Sequence, residues 1–490
     1  MPRILYLDID TLRPDHMGCY GYKRNTTPNL DKVAAEGMVF ENYYCSDAPC
    51  LPSRAALVSG QFGIHSGIVG HGGTAADRPL SGAGRGFQDL SERDNLFYLF
   101  RKSNMYTASI STFPERHSAW WFNAGFKETH NVGGGGMESG EEVLPVALDW
   151  INRNKDREDW FLHLHIWDPH TPYRAPADFG NPFGDEPLPN NWITEEIFEK
   201  HLQKAGPHSP RDISGHGDKE DPKYPRHPGS LKNLAEVKNF IDQYDCGIRY
   251  ADHLLGQVLD LLREQGVYDD TAIIISSDHG ENMGELGLYA EHATADNGTC
   301  HIPMVIKWPG GATGRDKGLR YNFDLVPTMA ELLGLPAADA WDGKSYAELV
   351  LKGKGNAGHE HLILSQQCHV CQRSARFGDW IYIRTIRDGF QLFDDEMLFN
   401  LKDDPYQIND LKEERPDICA QGAKILLDWH EEMMKTSDRE VDPMWTVYKE
   451  GGPFHANNSQ LEAYIKRLEN SERAPAAQKL RERYADVLKD

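Results

Sequence analysis

No hydrophobic run in this chain approaches the ~18 residues of a membrane-spanning helix, which excludes a transmembrane segment. Positive charge is scarce: 52 lysines and arginines face 75 aspartates and glutamates, a formal net charge of −23. A field of that sign excludes a nucleic-acid binder and a protein that coats anionic membrane. It also requires any anionic substrate to be drawn in by a local positive pocket. Cysteine is sparse as well. Cys19, Cys45, Cys50, Cys246, Cys300, Cys368, Cys371 and Cys419 are scattered without framework spacing, as expected of free buried thiols in a reducing compartment. The pair in "CHVC" (368–371) lacks the second pair that would complete a zinc site, and it is assigned no metal. Internal repeats are absent. The opening "MPRILYLDID" enters an apolar strand within three residues, leaving no room for a signal peptide. If Met1 is the natural start, a cytoplasmic protein is expected.

What the chain does contain is a set of short apolar runs that end in reactive side chains. "RILYLDID" (3–10) stops at Asp8 and Asp10, and "YTASIST" (106–112) leads through "FPERH" to His117. "FLHLHIWDPH" (161–170) ends at Asp168 and His170, and "TAIIISSDHG" (271–280) at Asp278 and His279. Apolar strands separated by helical stretches predict an α/β fold with a large, mostly parallel sheet flanked by helices. In such sheets ligands bind beyond the carboxyl ends of the strands. Four strand ends that each deliver a carboxylate or imidazole to that edge mark it as the candidate site.

At 490 residues the chain is too long for one small core. The expected division is a catalytic domain over 1–355 and a smaller C-terminal subdomain over 356–490, with an antiparallel sheet and a helical tail. Within the first, "YADHLLGQVLDLLREQG" (250–266) has the apolar spacing of an amphipathic helix closed by Gly266. Residues from about 172 to 230 are rich in proline and poor in periodicity, which predicts an irregular insertion, either at the surface or walling the substrate pocket. In the second, "HLILSQQ", "DWIYIRT" and "FQLFDDEMLFNL" read as strands and 415–435 as a helix; the charged tail 459–489 is expected to present a solvated face. The glycine-rich stretch 70–86 matches no phosphate-loop pattern and is expected to be a loop near the pocket, with His71 a substrate contact.

The segment "DAPCLPSRAALVSGQ" (47–61) carries the most specific signal. Pro52 suits the first turn of a helix that runs to Gly60, which places Cys50 at the helix entrance. Free backbone N–H groups, the macrodipole and Arg54 one turn in are all expected to lower the thiol's pKa. Cys50 is therefore a candidate nucleophile towards an anionic ester.

The pattern C-x-P-S-R followed by "AALVSG" resembles the signature of the type I sulfatases of the alkaline phosphatase superfamily. The resemblance extends over "ILYLDIDTLRPDHMGCYGY" (4–22), "DPHTPY" (168–173), "SSDHGENMGE" (276–285), "IPMVIKWPG" (302–310) and "EMLFNLKDDP" (396–405). It implies that a separate maturation enzyme oxidises Cys50 to formylglycine. The hydrated aldehyde offers two hydroxyls on one carbon, one to attack sulfur and one to expel sulfate as the carbonyl reforms.

The resemblance also implies a metal site at Asp10, Asp278, His279 and the residue derived from Cys50. Carboxylate-rich ligation favours Ca2+, with Mg2+ second. The commoner pattern has two adjacent acids, but here Thr11 follows Asp10; Asp8, on the same strand face, is the candidate replacement. His170 matches a family histidine that contacts the sulfate or the leaving oxygen, a task suited to imidazole. His117 is carried over as base or sulfate ligand, with Arg116 standing in for a family lysine. A second family lysine is missing from "YAEHATADNGTCHIP" (289–303), where His292 is the expected substitute. A histidine there would weaken anion binding as pH rises, so activity is expected to fall above neutral pH.

These residues imply a sulfatase acting on a carbohydrate or other small organic sulfate, with the sulfated molecule and the maturation enzyme as its partners. Two alternatives share the motifs. One is a phosphonate monoester or phosphodiester hydrolase of the same superfamily. The other is a non-catalytic anion- or glycan-binding relative in which Cys50 remains a thiol.

Overall fold

The structure is a computed structural model that describes residues 2–78, 94–190, 192–207, 224–227, 229–471 and 473–489. In chain order its first strands are β1 (Arg3–Ile9), β2 (Met38–Tyr44), β3 (Asp47–Ala48), β4 (Tyr106–Ile110), β5 (Glu128–His130), β6 (Trp160–Ile166) and β7 (Thr271–Ser276). There follow β8 (Asn282–Met283), β9 (Tyr289–Glu291), β10 (Met304–Lys307), β11 (Gly314–Tyr321), β12 (His361–Gln366), β13 (Cys371–Phe377), β14 (Trp380–Arg387) and β15 (Glu396–Asn400).

The larger sheet has eight strands in the order β11-β2-β10-β7-β1-β6-β4-β5. Only β10 runs against its neighbours, so the sheet is mostly parallel, as the apolar runs predict. β1 lies between β6 and β7 and is buried along its whole length. Its side chains alternate between two cores. Leu5, Leu7 and Ile9 join Trp150 of the helix Gly140–Arg153 and Leu255 of the helix Leu234–Glu264. Ile4 and Tyr6 join Val58 of the helix Cys50–Ser59, Phe97 of the helix Leu96–Lys102 and Val326 of the helix Leu325–Leu332. Each such buried side chain stabilises the fold by about 1.5–3 kcal/mol. Asp8 shares the second face, which turns its carboxylate towards the helix that begins at Cys50.

The smaller sheet has the order β15-β14-β13-β12-β3. It is antiparallel except at its edge, where β3 pairs in parallel with β12 (Asp47 with Ser365, Ala48 with Gln366). The strand just ahead of Cys50 is thus tied to a sheet built mainly from residues beyond 360. The helix Pro416–Thr436 buries Trp429 in the core cluster that this sheet shares with the larger one.

Three expectations change. The amphipathic helix predicted from residue 250 begins at Leu234, because its apolar stripe continues upstream through Val237, Phe240 and Ile241. The 172–230 segment contains the helix Glu195–Leu202, capped by the Thr194 hydroxyl, although 191, 208–223 and 228 lie outside the described residues. The tail folds as two helices, Leu461–Glu469 and Ala474–Arg483, and buries Leu461, Ile465, Leu468 and Leu480 with Phe390, so its charge covers one side only. Of the glycine-rich stretch, 79–86 lies outside the described residues. All eight cysteines are free, including Cys368 and Cys371. Among the described residues no helix is long and apolar enough to cross a membrane.

Candidate active site

Cys50 is the first residue of its helix, preceded by a cis Ala48–Pro49 bond. The helix ends at Gly60, which takes φ 73°, a conformation natural to glycine; a Cβ there would also lie 2.7 Å from Trp341. Ser53 fastens the first turn to the end of β7, its hydroxyl donating to the Asp278 carbonyl at 2.6 Å. Asn322 donates its side-chain amide to the Ser53 carbonyl at 3.0 Å. With the turn held this way, Cys50 Sγ lies 3.0 Å from His279 Nε2 and 3.9 Å from His170 Nε2.

Asp10 and Asp278 follow the carboxyl ends of β1 and β7, adjacent parallel strands. Thr11, at φ 63°, donates its backbone N–H to Asp278 Oδ1 at 3.1 Å and its hydroxyl to Asp10 Oδ1 at 2.9 Å. The residue that replaces the second acid thus ties the two remaining ones together. Arg54 is wholly buried and does not line an open pocket. Its Nε and Nη2 bond Asp8 at 3.0 and 3.1 Å, Nη2 also reaches Asp10 at 3.3 Å, and Nη1 bonds Asp278.

Two histidines that the sequence reasoning missed complete this support. His163 and His165 project from β6, with His163 Nε2 3.2 Å from Asp8 and His165 Nε2 3.1 Å from Asp10. Their signal was two polar residues alternating inside "FLHLHIW", a run otherwise apolar. Asp8 is therefore turned to Arg54 and His163, and it is not in the group whose ligand atoms meet around Cys50. Asp168 does not join the site either. Its Oδ2 accepts the Gly140 N–H at 2.6 Å at the start of the helix Gly140–Arg153, and burial pushes its carboxyl up to about 6.

The expectation of an acidic thiol is overturned. Burial, followed by the charges of Asp10 and Asp278, pushes Cys50 well above an ordinary thiol, and Arg116 and Arg54 offset this only in part. Asp278 is raised to about 7, mainly by burial, with Asp10 and Asp8 adding to the effect. Asp10 behaves oppositely: burial pushes it up, but Arg54, His165, His170 and Arg116 together hold it well below the usual carboxylate range.

Asp10, Cys50, Asp278 and His279 have ligand atoms all within 4.8 Å of one another. His279 Nδ1 lies 2.8 Å from the Gly280 carbonyl, which can only accept, so Nδ1 carries the hydrogen and Nε2 presents its lone pair to the group. Two carboxylates and an oriented imidazole suit a divalent cation, whose charge would offset the crowding that raises Asp278 and Cys50.

Imidazoles fill the rest of the pocket. His170 Nδ1 lies 2.7 Å from the Thr171 carbonyl, leaving Nε2 as a proton acceptor, and burial lowers its pKa to about 3. The His292 ring centroid stands 4.4 Å from that of His279 and 5.2 Å from that of His170. Burial lowers the His292 pKa, but Glu281 and Glu291 override it and lift the group to about 9. The expected loss of charge above neutral pH is thereby moved upward. Arg116 lies over the Trp167 ring at 3.7 Å, bonds Asp10 at 3.1 Å and donates to His117 Nε2 at 3.3 Å. Its Nη1 is buried and makes no hydrogen bond among the described residues. His71 Nε2 lies 3.5 Å from the Leu51 N–H, and its Nδ1 is 3.0 Å from His455 Nε2. His455 in turn stacks on His369 at 4.3 Å. Neither His369 nor His455 carries a motif, and only the folded chain brings them here.

A model of the family described as Sulfatase matches residues 2–335. The choline-sulfatase of Rhizobium meliloti is 24% identical, over 91% of this chain and 91% of its own. Among solved structures, the phosphonate monoester hydrolase of Agrobacterium radiobacter superposes with a TM-score of 0.68 at 18% identity, covering 88% of this chain and 96% of that one. A protein solved in complex with its substrate D-glucosamine-2-N,6-O-disulfate gives 0.70 at 18% identity, over 89% and 99%.

Proposed function

The chain belongs to the sulfatase family, and we propose that it is a member of the alkaline phosphatase superfamily that hydrolyses the sulfate ester of a carbohydrate or another small organic sulfate. The observation that carries this reading is the position of Cys50, 3.0 Å from His279 and grouped with Asp10 and Asp278 beyond the ends of two parallel strands.

In this reading Cys50 is the residue that a separate maturation enzyme converts to formylglycine. The hydrated aldehyde supplies the attacking oxygen and, through its second hydroxyl, the route by which sulfate leaves. Asp10, Asp278, His279 and residue 50 would hold Ca2+, or Mg2+, which when bound polarises the sulfate and favours the ionised nucleophile.

The chain's own residues do the remaining work. Arg54, His163 and His165 hold Asp8 and Asp10 in place. His170, neutral and with its Nε2 lone pair free, accepts a hydrogen bond from the hydroxyl of the nucleophile. His292, kept cationic by Glu281 and Glu291, faces the sulfate where the family pattern has a lysine. Arg116 and His117 bind it from the β4 side. His71 and His455 meet the leaving alcohol.

The second reading, a phosphonate monoester or phosphodiester hydrolase, draws on the fold likeness to the Agrobacterium enzyme. Matched aryl sulfate and aryl phosphonate esters separate the two. A higher kcat/KM for the sulfate is expected, and the reverse order would assign the chain to the second class.

A further inference from the structure

Outside the carboxylate-rich group, a second cluster of metal-ligating side chains lies along the same pocket. We propose that Glu291, His292 and His369 form a separate site for a transition-metal ion of the zinc class. Their ligand atoms all lie within 4.8 Å of one another, with Glu291 Oε1 3.4 Å from His369 Nε2 and 3.7 Å from His292 Nε2. All three residues are buried, His369 at 7% exposure.

The donor set separates this site from its neighbour. Two imidazoles and one carboxylate are a three-ligand set that zinc takes where it also meets a ligand or substrate. Asp10 and Asp278 are oxygen donors and favour harder ions. Orientation supports the assignment as well. His292 Nδ1 is 3.2 Å from Glu281 Oε2, which fixes the ring and leaves Nε2 for Glu291 and the ion. A carboxylate behind the imidazole is the usual outer partner of a metal-bound histidine. His369 is fixed by its stack on His455, at an interplanar angle of 10°, and by its backbone N–H, which donates to Gln366 Oε1 at 3.0 Å. Its Nε2 is buried and makes no hydrogen bond among the described residues.

Glu281 and Glu291 are two buried carboxylates whose partner in this cluster is the His292 imidazole. A bound ion would take over the role of the proton on His292, so the cationic and the metal-bound imidazole are alternative states of one site. Entry of the ion is a ligand exchange in which M2+ takes the Nε2 lone pair of His292 and any proton held there goes to solvent. The bound ion would place a fixed positive charge beside His279, in the region where the chain has no lysine.

Co2+ is the probe, added to the full chain already saturated with Ca2+. One equivalent is expected to bind with the visible absorption of a four-coordinate ion. His369→Ala and Glu291→Gln should each weaken it by at least about tenfold, the scale seen when even an outer partner of a metal ligand is lost. Asp278→Asn should leave the band in place. Three results would overturn the proposal. One is the absence of the band. The second is loss of the band in Asp278→Asn with retention in His369→Ala, which puts the ion among the carboxylates. The third is a thiolate charge-transfer band that Cys50→Ser abolishes, which puts the ion on Cys50, His170, His279 and His292, the group that shares His292 with the proposed site. Binding without turnover would sustain this site while removing the sulfatase reading, so the two fail separately.

Discussion

Arg54 grips both oxygens of Asp8, at 3.0 Å from Nε and 3.1 Å from Nη2, and the same buried guanidinium also bonds Asp10 and Asp278. One cation braces three carboxylates. Removing a single partner from a buried charge cluster costs about 3–5 kcal/mol, because the remaining charges are left uncompensated. Arg54→Met is therefore expected to lower the unfolding free energy by about that amount in a urea titration. An unchanged midpoint with a raised KM would instead make Arg54 a substrate contact.

His165 acts on the reaction through Asp10. Its Nε2 is 3.1 Å from the carboxylate and its Nδ1 is 3.3 Å from the Thr112 hydroxyl. Loss of such a partner typically weakens metal binding about 10–100-fold. His165→Leu should show that loss in a Ca2+ titration, and His165→Gln, which keeps a donor, should recover part of it. A lower Tm in both variants with Ca2+ affinity unchanged would leave His165 a purely structural role.

The raised Asp278 and Cys50 predict that a dication stabilises the fold. At a free Ca2+ concentration of ~100 Kd the gain is about 2.7 kcal/mol. Thermal unfolding with and without chelator measures it. The shift should disappear in Asp278→Asn, and a shift that survives there would place the ion elsewhere.

Asp252 offers a pH test remote from the site. It lies on the helix Leu234–Glu264 and accepts the Asn29 and Leu30 N–H groups, at 3.0 and 2.9 Å, at the start of the helix Pro28–Ala35. Burial raises its carboxyl from 3.8 to about 6, so the folded state binds the proton more tightly than the unfolded one. The stability that Asp252 contributes is then fully present below pH 3.8 and falls as pH rises through about 6. Relative to Asp252→Asn, the wild type should lose about 3 kcal/mol across that window in urea unfolding. A difference that is flat or that grows with pH would contradict the raised value.

Much of the site is legible in the chain because its main residues end buried strands. A polar side chain that terminates an apolar run has few places to go other than the sheet edge, and Asp10, Asp278, His279 and His170 all meet Cys50 there. What the sequence conceals are partnerships that depend on which strands adjoin. That His163 and His165 serve Asp8 and Asp10 follows from β6 lying beside β1, a neighbourhood that periodicity does not specify. The thiol's pKa departs from the local expectation for a related reason. The local helix entrance argues for an acidic Cys50, whereas Asp10 and Asp278, distant in sequence, set its field. His369 and His455 reach the pocket from the C-terminal part of the chain, beyond any local pattern.

The account turns on the chemistry of one side chain. The mass of the Cys50 peptide, from protein made in a host able to carry out the maturation, tests it most directly. A peptide bearing an aldehyde in place of the thiol, together with sulfate release that Cys50→Ala abolishes, is the predicted result. An intact cysteine in protein that still turns over, or in protein that binds sulfated ligands without turnover, would contradict it.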